Sequence, residues 1–332
     1  MAVAVRSFAK INLGLRIGAK RDDGFHELRT VYQTVALHDI VRVDISRGTS
    51  IEIRCKHPQV PCDESNTCYR VAERVLRRLK ARHRVVIAIE KKLPVQGGLG
   101  AASSNAIATM LAMERALKTQ IPAEEKLQLA AEVGSDVPLF LVGGTILGAG
   151  RGEEVYAMPD VPQVWCVIAL PKVAVSTPKA FADWDERSQG DGARAQKLTR
   201  NGKPDTINEF HRSVFAALGV QNHAGPLSGV PAKKSGDRAE ALLLDLVRTG
   251  IENDFERVVF PQYPELRDIK RALERQGAQY ASLSGSGSAV YGLFPSKPAA
   301  EKAASHLQKD DIPAQATSTL SRREYWQQLW MK

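Results

Sequence analysis

The first part of the chain alternates apolar and polar residues with the two-residue period of β-strands. This alternation predicts strands over residues 2–8, 11–17, 29–37 and 40–46. A turn sequence at residues 21–24, which ends in Asp-Gly, separates the second strand from the third and is typical of a hairpin. The chain therefore opens with antiparallel strands.

Helical and strand-like segments then follow one another up to about residue 170. Helical spacing of apolar residues predicts helices over residues 66–82, 103–118 and from about Pro122 to Gly134. Alternating or continuous apolar runs predict strands over residues 85–90, 141–149 and 164–170. The first domain, a mixed unit of sheet and helices, is assigned to residues 1–160.

The second half contains two polar segments and then regains order. Residues 187–206 and 222–238 are rich in Gly, Pro, Ser and charged residues, which predicts exposed segments flanking a short helix at 208–218. The remaining pattern predicts helices at 239–256, 264–276 and 298–308 and strands at 279–283, 289–294 and 313–319. This order is typical of a split β-α-β, ferredoxin-like domain, assigned to residues 161–332 with a polar insertion near 185–240.

Length and composition are those of an ordinary globular protein. The 332 residues, 43% hydrophobic and 25% charged, are enough for two domains. No apolar run approaches the ~20 residues that span a bilayer, and the chain begins without a secretory signal, so we expect a cytoplasmic protein without a membrane partner. The four cysteines match no metal-binding spacing, and free thiols suit a reducing compartment.

The net charge of +9 raises the question of a nucleic-acid partner. Basic residues cluster between positions 74 and 84. However, Val71, Val75 and Leu79 give the same helix a buried apolar stripe, so the basic cluster is its solvated face. No known nucleic-acid-binding motif is present, and we expect no nucleic-acid partner. The charge suits a small polyanionic substrate instead.

Residues 93–105 form a glycine-rich loop between a predicted strand and a predicted helix, with the sequence Leu-Pro-Val-Gln-Gly-Gly-Leu-Gly-Ala-Ala-Ser-Ser-Asn. The first N–H groups of a helix have no partner within it and its dipole favours an anion, so this arrangement suits phosphate. The loop lacks the Lys-Ser/Thr pair of a Walker A motif and the third glycine of a dinucleotide fingerprint. A tight turn without a ligand is the alternative interpretation.

Three further segments combine polar and apolar residues in ways that indicate chemistry. Residues 8–13 place Lys10 within an apolar strand, and residues 23–28 read Asp-Gly-Phe-His-Glu-Leu after the predicted turn. Residues 134–140 place Asp136 directly after a predicted helix. Structural alternatives stay open: the lysine could extend to solvent from a strand edge, and the aspartate could cap a short helix.

In order and spacing, these segments resemble the motifs of the GHMP kinase superfamily. The matching segments are residues 9–13, 94–105, 134–138 and 283–290, with further matches at 253–256 and 263–266. Residues 21–33 are similar to a signature of the members that phosphorylate a cytidine diphosphate-linked methylerythritol. The resemblance covers about residues 1–183 and 245–320. It implies a two-domain α+β fold, with a ribosomal-protein-S5-domain-2-like N-terminal domain and a ferredoxin-like C-terminal domain.

The resemblance also implies an activity. It implies a kinase that uses ATP and Mg²⁺ to phosphorylate the 2-hydroxyl of that small molecule, in isoprenoid precursor synthesis, with Lys10 and Asp136 as catalytic residues. The residues expected to bind ATP are Pro94, Val95, Gln96, Gly97, Gly98, Leu99, Gly100, Ala101, Ala102, Ser103 and Ser104. The residues expected to bind the substrate are Asn12, Phe25, His26, Thr177 and Phe181. No metal ligands are assigned, and we expect a monomer or a weak homodimer.

The chain departs from the family pattern in two motifs, and its charged stretch from about residue 185 to 240 is longer than the family pattern leads us to expect. Ala101 and Ala102 stand where glycines are usual, which restricts the backbone of the ATP loop. Phe25 stands where tyrosine is common, so a stacking face is kept and a hydroxyl is lost. Two other functions stay open from the sequence: a GHMP kinase that acts on homoserine or mevalonate, and an RNA-binding protein with the same S5-like fold.

Overall fold

The computed structural model describes residues 2–199 and 252–331 of the chain. The predicted helix at 208–218 and the predicted polar segment at 222–238 lie outside the described residues, as does most of the predicted helix at 239–256. Within the described part, no helix is both long enough and apolar enough to cross a membrane.

A six-stranded sheet forms the first domain. Its strands are β1 (Val3–Lys20), β2 (His26–Ser46), β3 (Ile51–Cys55), β4 (Arg84–Glu90), β5 (Thr145–Ala149) and β6 (Glu154–Ala157). The strand order is β3-β4-β2-β5-β6, with β1 paired to β2, and only the β3–β4 pair is parallel. The predicted turn at 21–24 is confirmed, because the N–H of Arg21 donates to the carbonyl of Phe25 across it.

Two pairs of predicted strands are single long strands. The segments 2–8 and 11–17 both belong to β1, and the segments 29–37 and 40–46 both belong to β2. Register shifts between Phe8 and Ala9 and between Asn12 and Gly14 interrupt the alternation of side chains without ending β1. The short strands β3 and β6 were not predicted.

Three helices of the first domain match their predictions to within a few residues. They are α1 (Thr67–Arg78), α2 (Ala101–Leu117) and α3 (Ala123–Val133). Helix α2 packs against β1 and β2, and α1 packs against α2. The predicted strand at 141–149 is wrong in its first half, because Pro138–Leu141 is a 3-10 turn and β5 begins at Thr145. Proline at the first position of that turn favours a helical start over a strand.

The second domain is a four-stranded antiparallel sheet with helices. Its strands are β7 (Trp165–Ala169), β8 (Tyr280–Leu283), β9 (Val290–Phe294) and β10 (Ala314–Ser318), in the order β10-β7-β9-β8. Its helices are α4 (Thr177–Thr199), α5 (Glu256–Gln262), α6 (Pro264–Arg275) and α7 (Lys297–Lys309). The second strand in the chain lies at the edge and the third lies between it and the first, which confirms the split β-α-β topology.

Two predictions around this domain are wrong. Residues 187–199 continue α4 and are not an irregular segment. Residues 193–198, Ala-Arg-Ala-Gln-Lys-Leu, include several strong helix formers. The helix predicted to end near 256 does not include residues 252–255, and α5 begins at Glu256. The side chain of Asn253 accepts from the N–H of Phe255 and holds a turn at that point.

The last helix, α8 (Arg322–Leu329), returns to the first domain. Tyr325 and Leu329 belong to the core of the first sheet, and Val5 forms a β-bridge with Trp330. The two domains also meet at β1, where the N–H of Leu15 donates to the carbonyl of Glu252. The glycine-rich loop also contacts the second domain, because the N–H of Ala289 donates to the carbonyl of Gly97. The middle of β1 and this loop therefore lie where the two domains join.

Candidate active site

The glycine-rich loop has a backbone that only glycine adopts easily at two positions. Gly98 has a φ of +72° and Gly100 a φ of +67°, both in the left-handed region. A side chain at Gly98 would clash with the carbonyl oxygen of Ser284, and one at Gly100 would lie 2.9 Å from the ring of Phe140. The loop thus packs tightly against Ser284, in the turn between β8 and β9, and against the first domain.

The carbonyl groups of the loop are bound by surrounding protein. The N–H of Lys10 donates to the carbonyl of Leu99 over 3.0 Å, and the hydroxyl of Ser284 donates to the carbonyl of Gly98 over 2.9 Å. By contrast, none of the N–H groups of residues 98–103 donates a hydrogen bond to another described residue. Six successive N–H groups at the start of α2 are therefore available to an anion.

A cavity of about 300 Å³ lies against this loop. The predicted ATP-binding residues from Pro94 to Ser103 all line it. Ser104 does not, because it is buried and its hydroxyl accepts a hydrogen bond from Ser7 over 2.8 Å. Asn105, which ends the glycine-rich segment, also lines the cavity, together with four polar residues that no sequence motif indicated: Gln59, Asn66, Thr67 and Lys91.

A buried carboxylate, Asp39, anchors the start of the loop. It accepts hydrogen bonds from Lys91 Nζ (2.6 Å), from Asn105 Nδ2 (3.2 Å) and from the N–H groups of Lys92 and Leu93 (2.7 Å each). A buried carboxylate is stable only with such partners. Asp39 stands within the long strand β2, where the strand pattern alone gave no signal for this anchoring.

Lys10 and Asp136 lie together, although 126 positions separate them in the chain. Lys10 Nζ is 3.4 Å from Asp136 Oδ2, with the lysine side chain 3% exposed and the aspartate 36% exposed. Lys10 Nζ also donates to Asn12 Oδ1 over 2.7 Å. The lysine therefore does not extend to solvent, and a cation buried this deeply needs both partners.

Tyr32 holds the second oxygen of the Asp136 carboxylate. Its hydroxyl donates to Asp136 Oδ1 over 2.9 Å. Burial and the neighbouring carboxylate raise the pKa of the Tyr32 hydroxyl well above its ordinary value, so it remains a donor. Tyr32 lies in the segment that resembles the family signature, but the sequence did not indicate this contact.

A second cavity, of about 690 Å³, opens beside the Lys10–Asp136 pair. All five residues predicted to bind substrate line it: Asn12, Phe25, His26, Thr177 and Phe181. Gly98, Gly100 and Ser103 line both cavities. The Lys10–Asp136 pair thus lies next to the point where the two cavities meet.

The far end of the second cavity is aromatic. The ring of His26 stacks on Phe181, with centroids 5.1 Å apart and planes 9° apart. Arg151 lies over the ring of Phe25, with Cζ 4.9 Å from its centroid, and Phe25 is 51% exposed. No sequence motif indicated Arg151, which follows β5 on the wall of this cavity.

The four cysteines and the basic residues of α1 do not line either cavity. The four cysteines Cys55, Cys62, Cys68 and Cys166 are free. No cluster of three His, Cys, Asp or Glu side chains suited to a metal ion occurs among the residues that the structure describes. On α1, Arg74 pairs with Glu132 and Arg78 with Glu125, so acidic partners already offset much of the basic face.

Comparison with known proteins gives consistent results along the whole chain. Residues 66–144 match the model of the GHMP kinases N terminal domain, and residues 237–312 match that of the GHMP kinases C terminal domain. The chain is 36% identical over 330 residues to a 4-diphosphocytidyl-2-C-methyl-D-erythritol kinase of Solibacter usitatus, covering 99% of this chain and 92% of the relative. A kinase of the same name from Acaryochloris marina is 33% identical over 308 residues, which cover 92% of this chain and 92% of the relative.

Solved structures give the same result for the fold. A crystal structure of 4-(cytidine 5'-diphospho)-2C-methyl-D-erythritol kinase superposes with a TM-score of 0.68 at 26% identity, covering 95% of this chain and 98% of the other. Homoserine kinase from Cytophaga hutchinsonii superposes with a TM-score of 0.61 at 20% identity, covering 96% and 95%. The second likeness shows a shared fold alone.

Proposed function

Since the chain belongs to the 4-diphosphocytidyl-2-C-methyl-D-erythritol kinases of the GHMP kinase family, we propose that it phosphorylates the 2-hydroxyl of 4-diphosphocytidyl-2-C-methyl-D-erythritol, with ATP as donor. One observation supports this most strongly. A cavity lined by free backbone N–H groups and a cavity with an aromatic end share Gly98, Gly100 and Ser103, and the Lys10–Asp136 pair lines the second of these cavities beside the shared residues. The first suits a triphosphate and the second suits a pyrimidine-linked acceptor.

Asp136 is proposed to orient the acceptor hydroxyl and take its proton. Lys10 and Tyr32 each bind one oxygen of the carboxylate, so its orientation is fixed before substrate binds. Phosphoryl transfer has a loose transition state, in which positioning and stabilisation of charge matter more than covalent chemistry by the protein. Lys10 also supplies a positive charge beside the reacting oxygen.

The N–H groups of residues 98–103 are proposed to bind the phosphates of ATP. Their free donors, the left-handed backbone at Gly98 and Gly100, and the N-terminus of α2 form an anion site without requiring a lysine in the loop. The extra methyl groups of Ala101 and Ala102 lie within the first turn of α2, after the two positions where the backbone needs glycine. This departure from the family pattern is therefore compatible with the site.

Mg²⁺ is proposed to accompany ATP. Magnesium in kinase sites is held by one or two carboxylates together with phosphate oxygens and water. The oxygen donors present, the Ser103 hydroxyl and the Asp136 carboxylate, fit such an ion, and both line the second cavity. When bound, the ion would neutralise charge on the phosphates.

The aromatic end of the second cavity is proposed to bind the cytosine ring. Phe25 and Phe181 supply flat apolar faces, and His26 supplies a polar edge beside them. Stacking of a base on an aromatic side chain contributes about 1–3 kcal/mol, which is sufficient to set affinity. Thr177 lines the same cavity, with its hydroxyl 2.7 Å from that of Ser286.

The test is an ADP-release assay of the purified protein with three acceptors: the cytidyl substrate, homoserine and mevalonate. We expect kcat/KM for the cytidyl substrate to exceed the other two by ~10³-fold or more, because a site built for polar recognition rejects molecules that lack those groups. Equal turnover of homoserine or mevalonate would overturn the proposal. So would salt-dependent RNA binding in a protein that does not turn over ATP with any acceptor.

A further inference from the structure

We propose that Asp185 is a positioning residue that fixes the orientation and the tautomer of His26, and thereby the preference of the aromatic site for cytosine. The inference rests on the proposed function. It concerns a residue that neither the sequence motifs nor the resemblance indicated.

Asp185 contacts one nitrogen of the His26 ring directly. Asp185 Oδ1 lies 2.6 Å from His26 Nε2, and the histidine side chain is only 6% exposed. Lys20 Nζ donates to the other carboxylate oxygen of Asp185 over 3.1 Å. The carboxylate is therefore held at both oxygens, from the end of β1 and from the start of β2.

One turn of α4 provides two constraints on the same ring. Phe181 stacks on the face of His26, and Asp185, four residues later, binds its edge. Residues four apart lie on the same face of a helix, so both act from one side of the cavity. Stacking fixes the plane of the imidazole, and the hydrogen bond fixes its rotation within that plane.

The contact also determines where the ring carries its hydrogen. Burial works against ionisation of Asp185, but the hydrogen bonds from His26 and Lys20 outweigh it and hold the pKa of this carboxyl below its ordinary value. An ionised carboxylate can only accept hydrogen bonds, so His26 Nε2 must carry the hydrogen. In the neutral ring, Nδ1 is then an acceptor.

Nδ1 is the nitrogen that remains for a ligand. Among the described residues it has no hydrogen-bond partner, and His26 lines the second cavity. Cytosine carries an exocyclic amino group, a donor that matches an acceptor at Nδ1. Uracil carries a carbonyl at that position, which would face the Nδ1 lone pair. The geometry therefore favours a cytosine over a uracil base.

The kinetic test compares Asp185→Asn with Asp183→Asn. Asp183 lies on the same helix and binds Lys179 and Gln262 instead, so its variant controls for the loss of a carboxylate from α4. An asparagine amide can donate or accept, so it no longer selects one tautomer. We expect Asp185→Asn to raise the KM for the cytidyl substrate about 10-fold, the usual effect of losing a hydrogen bond to a charged group, and to leave the KM for ATP unchanged.

The same assay is run with the uridine analogue of the substrate. We expect the preference for cytidine over uridine to fall about 10-fold in Asp185→Asn and to stay constant in Asp183→Asn. Equal KM values for the cytidyl substrate in the two variants would overturn the inference. So would an Asp185→Asn variant in which the KM values for the cytidine and the uridine substrates rise by the same factor.

A measurement on the unmodified protein keeps the inference testable if Asp185→Asn fails to fold. Nitrogen-15 NMR of the imidazole reports which nitrogen of His26 carries the hydrogen. We expect hydrogen on Nε2 alone, and a ring that carries hydrogen on Nδ1, whether on that nitrogen alone or on both, would overturn the inference. If the wild-type protein shows the Nε2–H form but does not phosphorylate the cytidyl substrate, the result would contradict the proposed function alone.

Discussion

The two cavities meet at one loop but are built in different ways. The cavity against the loop takes most of its wall from one contiguous run, residues 94–103, and offers backbone N–H groups. The second cavity takes its walls from side chains on the start of β2, on α4 and on the turn after β8. Backbone recognition depends on the path of the chain, whereas side-chain recognition depends on individual residues. The two halves of the site should therefore respond differently to substitution.

The largest effect is expected where the halves meet. Asp136→Asn keeps the size of the side chain and removes the proton acceptor, so kcat should fall ~100-fold or more. Affinity for ATP and for the cytidyl substrate should change little, because each is bound by its own cavity. Steady-state kinetics and calorimetric titration of both ligands check this. An undiminished kcat would remove Asp136 from the chemistry.

In the half of the site formed by the glycine-rich loop, activity with ATP should fall when the path of the backbone is altered. In Gly98→Ala the new methyl group meets the carbonyl of Ser284, so the loop must shift, and a displacement of about 1 Å in a positioning element costs ~10²-fold in rate. We expect kcat/KM for ATP to fall by about that factor.

The matched control for the loop is Gly277→Ala. Gly277 has a φ of +94°, and a methyl group there meets nothing within 4 Å. This variant should lower the free energy of unfolding by ~1–2 kcal/mol through backbone strain and leave the KM for ATP unchanged. If both variants changed the KM for ATP equally, strain rather than the path of the loop would explain the effect.

The substrate half should respond to the loss of one ring. Phe181→Ala removes the face on which His26 stacks, and we expect the KM for the cytidyl substrate to rise about 10-fold while the KM for ATP stays constant. Kinetics with each substrate varied in turn, alongside a thermal melt, separate lost binding from lost stability. A rise confined to the KM for ATP would contradict the assignment of this cavity.

The smallest effect is expected at the exposed edge of the second cavity, where Arg151 lies over the ring of Phe25. Arg151→Ala removes the cation over Phe25, and an exposed cation–π contact contributes ~0.5–1 kcal/mol, so the KM for the cytidyl substrate should rise about 2- to 5-fold. Arg77→Ala, which removes an exposed arginine paired with Glu73 on α1, serves as the control and should have no effect. Equal KM values in both variants would show that Arg151 does not support the ring.

The contrast between the cavities also explains what the sequence could predict. The phosphate loop is contiguous, and its glycines, its preceding strand and its following helix are visible in one short segment. Asp185 and Tyr32 acquire their contacts through tertiary structure, and Asp185 lay at the start of a segment that looked like a polar insertion. No local pattern could have paired Asp185 with His26, which is 159 positions away.

Some errors in the fold came from signals that were present. Helix α8 was not predicted, yet Ser321 and Glu324 form a capping box at its start, and the Ser-x-x-Glu spacing is visible in the sequence. The bulges in β1 left no comparable signal, because a register shift depends on the partner strand. The order of strands in the second domain was predictable because its elements are short and well separated.

The central claim is that Lys10 and Asp136 act as one unit beside the residues that the two cavities share, and a double-mutant cycle on kcat tests it most directly. Lys10→Met keeps the buried stem of the lysine and removes its charge. We expect Lys10→Met and Asp136→Asn each to lower kcat ~100-fold or more. The factor by which kcat falls in the double variant should be far smaller than the product of the two single factors. Losses that multiply would show that the two residues act independently and would contradict the account.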